Sequence, residues 1–231
     1  KWSLENQDEL WIERYTKGRW SLYILGGIVP GLLKKLYRIL SAERFSHLSI
    51  RTLRKEFEGH YALIIYDNEN DKVLLVNSPC GLVTFYYCHC PYMPVIASSL
   101  GEVLAACDSA GFSPGIDPIL CSFYQMTGYL PSKHTFYRDV YKVPPGSIVT
   151  ERDNHFHIED YLRFSEPESL SMSAYINAFD SGINNIVGQQ LKRFDGNVVA
   201  LSGGLDSSFL AAVINSENKD GKRIYALTNK D

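Results

Sequence analysis

The chain has 231 residues, of which 45% are hydrophobic and 21% are charged, and its formal net charge is -3. This size suits one large or two modest domains, and the nearly balanced charge gives no reason to expect a nucleic-acid partner. No apolar run reaches the ~18 residues that a membrane-spanning helix requires, so we expect no membrane segment.

The five cysteines are Cys80, Cys88, Cys90, Cys107 and Cys121. Their odd number and irregular spacing do not form a disulfide framework, so we expect a reducing compartment and a cytoplasmic protein. Within this set, Cys88-His89-Cys90 offers possible metal ligands, but structural zinc usually takes a second pair of ligands. No such pair follows, and we therefore interpret this tripeptide as a turn at a sheet edge without a metal.

The first half of the chain alternates apolar and polar residues over short segments, which predicts strands. In chain order these segments are residues 20–25, 61–66, 72–76, 83–87, 94–97, 147–151 and 155–158. Gly26 and Gly27 are expected to end the first strand, and Asp153-Asn154 is expected to close the last hairpin. Residues 1–19 show no clear periodicity and support no assignment.

Three helices are predicted between these strands. Apolar residues at helical spacing follow Gly31. Ser99 and Glu102 have the spacing of a capping box for the helix that follows them. Asp117 is expected to cap another helix, and Gly128 to end it. Hairpins with interspersed helices indicate an α+β arrangement for this half.

The second half begins with a polar, proline-containing segment, residues 165–172, which indicates a linker. A long amphipathic helix follows, with apolar residues at three- and four-residue steps up to Leu191. A strand to about Leu201, a helix to about Asn215 and a strand over residues 223–227 complete the chain. This order predicts two parallel strands joined by a right-handed crossover. One such unit cannot bury both faces of a parallel sheet, so we expect a further segment that this sequence does not contain.

The turn between that strand and helix carries the polar residues of greatest chemical interest. Gly203 and Gly204 place no Cβ atoms near the unpaired N–H groups at the helix start, where the dipole favours negative charge. Serine hydroxyls on both sides add donors, so the turn predicts a phosphate cradle. Asp206 would repel a bare pyrophosphate, which favours a bridging Mg²⁺. The spacing matches neither common Gly-rich nucleotide loop, and a turn without a ligand is the alternative.

Three segments have the residue pattern of known motifs. Ser-Gly-Gly-Leu-Asp-Ser, at residues 202–207, is similar to the pyrophosphate loop of the N-type ATP pyrophosphatases. Two further segments are similar to parts of the asparagine synthetase family. Residues 57–67 are similar to its Phe-x-Gly-x-Phe-Ala-x-x-x-Tyr-Asp hairpin, and residues 140–146 are similar to the segment that precedes its linker. The chain as a whole resembles that family.

This resemblance implies an α+β Ntn-hydrolase-like sandwich followed by the start of an α/β parallel-sheet ATP-pyrophosphatase domain of the PP-loop, HUP-like type. The implied boundaries are 1–164 for a degenerate glutamine-amidotransferase-like domain, 165–172 for the linker, and 173–231 for the N-terminal part of the synthetase domain.

The resemblance also implies ATP and Mg²⁺ as cofactors. The residues implied to bind them are Leu201, Ser202, Gly203, Gly204, Leu205, Asp206, Ser207 and Ser208, with Asp206 as the metal ligand. In the implied reaction a substrate carboxylate is adenylated, pyrophosphate leaves, and an amine displaces AMP to form an amide. The base that activates the amine is implied to lie outside this sequence. The implied partners are ATP and a carboxylate substrate, for which a peptide precursor is one candidate, with neither nucleic acid nor membrane.

The first half departs from the family at the positions that the glutaminase reaction needs. The family's nucleophile is a cysteine at the start of the mature chain, whereas no cysteine precedes Cys80. Residues 25–27 are Leu-Gly-Gly where the family has Asn-Gly-Glu, and leucine cannot donate to an oxyanion. Residues 45–48 and 77–80 likewise replace the family's acidic and Arg-Asp-Arg segments. We therefore expect a structural domain without glutaminase activity.

A ligase without its own ammonia source needs an amine carried by the substrate, as in the β-lactam synthetases and lasso-peptide cyclases of the family. The first specific hypothesis is therefore a lasso-peptide macrolactam cyclase. Two alternatives stay open: an asparagine synthetase that uses glutamine or ammonia, and a non-catalytic pseudoenzyme or scaffold.

Overall fold

The computed structural model describes residues 12–28, 59–90, 93–161, 169–193 and 196–228. The chain divides into two compact units, Lys1–Phe164 and Ser165–Asp231. No helix among the residues that the structure describes is long and apolar enough to cross a membrane.

Antiparallel strands and two helices form the described part of the first unit. The strands are β1 (Ile12–Lys17), β2 (Trp20–Ile28), β3 (Gly59–Asp67), β4 (Lys72–Asn77), β5 (Tyr86–His89), β6 (Pro94–Ala97), β7 (Val140–Lys142), β8 (Ser147–Arg152) and β9 (His155–Asp160). The helices are α1 (Leu100–Ser109) and α2 (Pro118–Thr127). Six strands form one sheet in the order β1-β2-β3-β4-β8-β9, and the other three form a second sheet in the order β6-β5-β7. The predicted antiparallel α+β arrangement is confirmed for this unit.

The larger sheet is apolar on both faces. Because successive side chains of a strand point to opposite sides, Leu63 of β3 joins one buried cluster, with Leu22, and Ala62 joins another, with Leu75. The second cluster also contains Tyr87 of β5, so the two sheets pack against each other there.

Helix α1 covers part of the smaller sheet. Its two buried residues, Val103 and Cys107, are four positions apart and therefore share one helix face. They form a third buried cluster with Cys88 of β5, Val95 of β6 and Val140 of β7.

Helix α2 has the ends that the sequence predicts. The Asp117 carboxylate accepts the backbone N–H groups of Ile119 and Leu120 at 2.9 and 3.3 Å. Gly128 adopts φ +75° and donates its N–H to the carbonyl oxygen of Tyr124 at 2.7 Å. These contacts are an N-cap and a left-handed C-cap, and they confirm both assignments.

The β8–β9 hairpin is also confirmed. Its turn residues Asp153 and Asn154 have φ of +53° and +59°. Two successive positive φ values are the signature of a two-residue type I′ turn, whose twist matches that of the strands it joins.

Other local predictions are wrong. Strand β2 does not end at Gly26 and Gly27, because both residues continue its pairing with β3. Ser99 is the N-cap of α1, so the predicted helix start is confirmed, but its side chain makes no capping hydrogen bond and the predicted capping box does not form. The strand predicted to begin at residue 83 begins at Tyr86. The helix predicted after Gly31 lies outside the described residues.

The second unit contains a βαβ arrangement preceded by a long helix. Its elements are α3 (Met172–Arg193), β10 (Gly196–Ala200), α4 (Leu205–Glu217) and β11 (Arg223–Leu227). β10 and β11 pair in parallel, with Val199 opposite Ala226, which confirms the predicted strand direction. Val187 and Leu191 of α3 pack against Val213 of α4 in the buried cluster of this unit.

Candidate functional site

The candidate phosphate loop, residues 201–208, lies where β10 ends and α4 begins. Because β10 and β11 are parallel, their carboxyl ends lie side by side at this turn. The N–H of Leu201 donates to the carbonyl oxygen of Leu227 at 2.7 Å and ties the loop to the end of β11. The loop therefore occupies the edge at which open α/β sheets bind their ligands.

Two glycines shape the loop. Gly203 has φ +78°, and nothing lies within 4 Å of the place where a Cβ would be. Gly204 is the N-cap of α4 and supplies no side-chain capping bond. The N–H groups of the first helical turn have no acceptor inside a helix, so an acceptor from outside can take them. The loop thus presents backbone donors beside open space.

The serine hydroxyls hold the turn in shape. Ser207 and Ser208 each donate to the carbonyl oxygen of Gly204, at 3.1 and 2.8 Å. The hydroxyl oxygens of Ser202 and Ser207 are 3.1 Å apart. Inside the loop, the N–H of Ser202 donates to the Ser207 hydroxyl at 3.3 Å and the N–H of Gly204 to the Ser202 hydroxyl at 3.4 Å. The outward donors are therefore the other backbone N–H groups of the turn.

Asp206 is the acidic residue of the first turn of α4, and its side chain is exposed. No hydrogen bond or ion pair holds its carboxylate within the part of the chain that the structure describes. A carboxylate is favoured at a helix N-terminus, and carboxylate oxygens suit Mg²⁺. The residues of the loop therefore fit a phosphate group bridged by a divalent cation.

The glutaminase position at residue 25 lies in the core of the first unit. The Leu25 side chain is 4% exposed and belongs to the cluster that contains Ala62, Leu75 and Phe85. These neighbours are apolar, and leucine offers no donor to an oxyanion. Position 25 therefore contributes to packing.

The segment that the sequence resemblance places at an Arg-Asp-Arg motif, residues 77–80, is tied to the turn before β8. The side-chain amide of Asn77 donates to the carbonyl oxygen of Pro144 at 3.2 Å. Gly81 has φ +58°, and a Cβ there would lie 2.9 Å from Cγ of Pro145. These contacts join two loops of the fold, which gives the segment a structural role. Residues 45–48, the other replaced segment, lie outside the described residues.

Asp67, at the end of β3, is a buried carboxylate with a structural role. Burial by itself raises its pKa, but donors from Arg19, Asn70 and the N–H of Glu69 outweigh that effect and bring the pKa to about 2. The Arg19 Nε atom donates to the carboxylate at 2.7 Å and the Asn70 amide at 2.7 Å. The carboxylate thereby closes the β3–β4 turn.

A cavity of about 140 Å³ lies against the larger sheet in the first unit. Its lining is largely apolar, and Glu151 is the acid among the described lining residues. None of the lining residues that the structure describes is a serine, threonine, cysteine or histidine.

Sequence reasoning missed a thiol cluster formed by Cys88, Cys90 and Cys107. The Cys90 sulfur lies 2.9 Å from that of Cys107 and 3.6 Å from that of Cys88. All three residues are buried, and burial raises the pKa of the Cys88 thiol and raises that of Cys107 to about 12. The interpretation of Cys88–Cys90 as a turn edge is therefore corrected: both sulfurs belong to the core. The alternation of β5 and the apolar face of α1 were the signals that could have revealed the cluster.

Comparison with known proteins gives one family match. Residues 46–162 match the glutamine amidotransferase domain family. No curated protein matches the sequence.

Several solved structures are similar to the chain, and two of them are compared with it below. One is described as the allosteric regulatory enzyme of purine biosynthesis, with 16% identity, a TM-score of 0.40, and coverage of 95% of this chain and 47% of that one. The other is glutamine phosphoribosylpyrophosphate amidotransferase from B. subtilis complexed with ADP and GMP, with 13% identity, a TM-score of 0.35, and coverage of 96% and 48%. The chain spans about half the length of each.

The family match extends over just more than half of the sequence and includes most of the described first unit. The chain therefore belongs to the glutamine amidotransferase domain family.

Proposed function

We propose that this chain is part of an ATP-dependent, AMP-forming ligase that makes amide bonds, of the asparagine synthetase kind. In this proposal residues 1–164 are an amidotransferase-type domain without glutaminase activity, and residues 173–231 begin the ATP-pyrophosphatase domain. The observation that carries the proposal is the exposed loop at residues 201–208, which combines backbone donors, open space and an exposed carboxylate at the carboxyl ends of two parallel strands.

The loop residues have separate roles in the proposal. The N–H groups of Gly203, Leu205, Asp206 and Ser207 bind the pyrophosphate portion of ATP, assisted by the helix dipole, while that of Gly204 donates to the Ser202 hydroxyl. The Ser207 and Ser208 hydroxyls fix the turn through the carbonyl of Gly204. Asp206 holds Mg²⁺, whose positive charge offsets the repulsion between its carboxylate and the phosphates.

ATP, when bound, would supply the adenylyl group: the substrate carboxylate would displace pyrophosphate from the α-phosphate to give an acyl-adenylate. The amine would then displace AMP and lose a proton to form the amide. Leu201, whose N–H is held by Leu227, lies beside the end of β11. We assign these two strand ends to the adenosine side of the nucleotide. The loop's contribution is to bind and orient the leaving pyrophosphate.

The amine comes from the substrate in this proposal. Leu25 occupies a buried apolar site where the glutaminase reaction would need a hydrogen-bond donor. The segment beginning at Asn77 is held in loop contacts. A domain with these substitutions favours intramolecular amide formation, for which macrolactam closure of a lasso-type peptide is the first specific candidate.

A thermal-shift measurement with ATP and Mg²⁺ on the full chain tests the proposal. A ligand at about 100 times its Kd stabilises the folded state by about 2.7 kcal/mol, so wild type should show a clear rise in Tm. Asp206→Asn should lose the Mg²⁺-dependent part of that rise. Asp220→Asn, a matched change at an exposed position after α4, should keep all of it.

The outcomes separate the alternatives. No shift in wild type, or the same shift in Asp206→Asn, contradicts the role of the loop and favours a non-catalytic scaffold. Glutamine-dependent release of ammonia by the full chain would contradict the loss of glutaminase activity and favour an asparagine synthetase.

A further inference from the structure

The thiol cluster of Cys88, Cys90 and Cys107 is separate from the candidate phosphate loop and has no role in the proposed ligase reaction. Residues 88 and 90 are two positions apart at the end of β5, so their side chains point to the same side. Cys107 approaches from the last turns of α1. A strand and a helix that are distant along the chain thus direct three sulfurs to one point.

The spacing of these sulfurs is close to that of a metal site. All three lie within 4.8 Å of one another. Three thiolates bound at about 2.3 Å from one ion would be roughly 4 Å apart. The observed separations of 2.9 and 3.6 Å therefore need to change by about 1 Å or less, which small side-chain rotations provide.

The surroundings of the three sulfurs determine which kind of metal ion they could bind. The three cysteines belong to a buried hydrophobic cluster that includes Val95, Val103 and Val140. Thiolates buried there require a cation to offset their charge. Among the described residues no fourth histidine, cysteine, aspartate or glutamate joins the three. Sulfur donors alone favour a soft ion over Mg²⁺ or Ca²⁺.

We infer that the thiol cluster binds one soft, closed-shell metal ion, Zn²⁺ or Cu⁺. Three S–H bonds are replaced by three bonds to the metal, and three protons leave to solvent. The ion links the end of β5 to α1. A disulfide between Cys90 and Cys107 would use two sulfurs and leave the third without a role.

Metal analysis of the full chain tests this inference. The protein is purified anaerobically with a phosphine reductant, and its metal content is measured by inductively coupled plasma mass spectrometry. Wild type should retain one metal ion per chain. The metal content of Cys107→Ala should be lower by a factor of about ten or more. Cys121→Ala, a change in α2, whose described residues are not buried, should retain the wild-type amount.

Two further measurements keep the test decisive if Cys107→Ala folds poorly. Cys90→Ser keeps nearly the same side-chain size and should also lose the ion. In wild type alone, addition of Co²⁺ to metal-free protein should produce thiolate-to-cobalt charge-transfer absorption. Separate loading with Zn²⁺ and with Cu⁺, followed by a competing chelator, identifies which ion is held.

Three results would overturn the inference. The first is a chain that retains neither ion after loading. The second is equal metal content in wild type and Cys107→Ala when both are folded. The third is that wild-type protein prepared without reductant has a mass lower by two hydrogens, and that the loss maps to a Cys90–Cys107 disulfide.

Discussion

Position 25 and the loop at residues 201–208 show opposite relations between fold and chemistry. Leu25 is buried among apolar side chains and adds to the core. The loop is largely exposed, contains a glycine at φ +78° and buries little apolar surface. Folding stability explains a leucine at position 25, but it does not explain an exposed, polar loop at the other site. The contrast supports the proposal that the loop binds a ligand, and the following predictions test each side of it.

The largest expected effect is at Leu25. Leu25→Asn removes buried apolar contacts and buries an amide without a partner, so it should lower the free energy of unfolding by about 3–5 kcal/mol. Chemical denaturation measures the change. Leu82→Asn, at a side chain that is 61% exposed, should change stability by less than about 0.5 kcal/mol. Equal stability of Leu25→Asn and wild type would contradict the packing role of position 25.

A second test concerns the buried carboxylate of Asp67, which has a structural role in the first unit. The folded pKa of Asp67, about 2, lies below its ordinary value of 3.8, so the carboxylate stabilises the fold above about pH 4. Asp67→Asn should cost about 2 kcal/mol at pH 7, and the difference from wild type should disappear as the pH falls from 4 to 2.

Urea denaturation across this pH range gives the measurement for Asp67→Asn. Asp160→Asn, at an exposed residue of β9, should follow wild type at every pH. A constant difference between Asp67→Asn and wild type from pH 7 to pH 2 would show that ionisation of Asp67 does not stabilise the turn.

The third test uses two glycines with similar backbone strain. Gly203 and Gly221 have φ of +78° and +63°, and at both sites the space that a Cβ would occupy is open to 4 Å. Alanine at either site should cost about 1–2 kcal/mol of stability. Only Gly203→Ala places a methyl group in the loop, so only it should weaken ATP binding, by about tenfold or more. Isothermal titration that shows equal ATP affinity in both variants would remove Gly203 from the site.

The smallest expected effect is at a glycine whose role is purely structural. Gly128 ends α2 at φ +75° with open space around it, so Gly128→Ala should cost about 1 kcal/mol without changing ATP binding. Gly115→Ala, where φ is not positive, should be neutral or nearly so. Thermal unfolding of both variants provides the comparison, and a larger loss for Gly115→Ala would contradict it.

Local chemistry predicted the elements whose causes are local. The Asp117 cap, the Gly128 end and the Asp153-Asn154 turn each follow from residues within a few positions of one another. The turn around Gly203 was likewise found from its own sequence, and the role of that turn in binding stays a prediction.

Features that depend on distant partners could not be predicted in this way. β2 continues through Gly26 because β3 supplies a pairing partner there. β1 has no clear periodicity, and its strand conformation accompanies its pairing with β2. The thiol cluster needs Cys107, seventeen positions after Cys90, and no local pattern links them. These features are determined by tertiary contacts, and the secondary-structure propensity of the local sequence does not predict them.

The order of strands in the larger sheet has a consequence for synthesis on the ribosome. β4 pairs with β8, with Leu74 opposite Thr150, although the smaller sheet and the two described helices of the first unit lie between them in sequence. Until β8 emerges, the nascent chain carries β4 as an open edge beside apolar side chains. The β10–α4–β11 arrangement, by contrast, closes over a short span. We therefore expect the first unit to fold slowly and to depend on chaperones during translation. The risk of aggregation should be greatest in the interval before β8 has been synthesised.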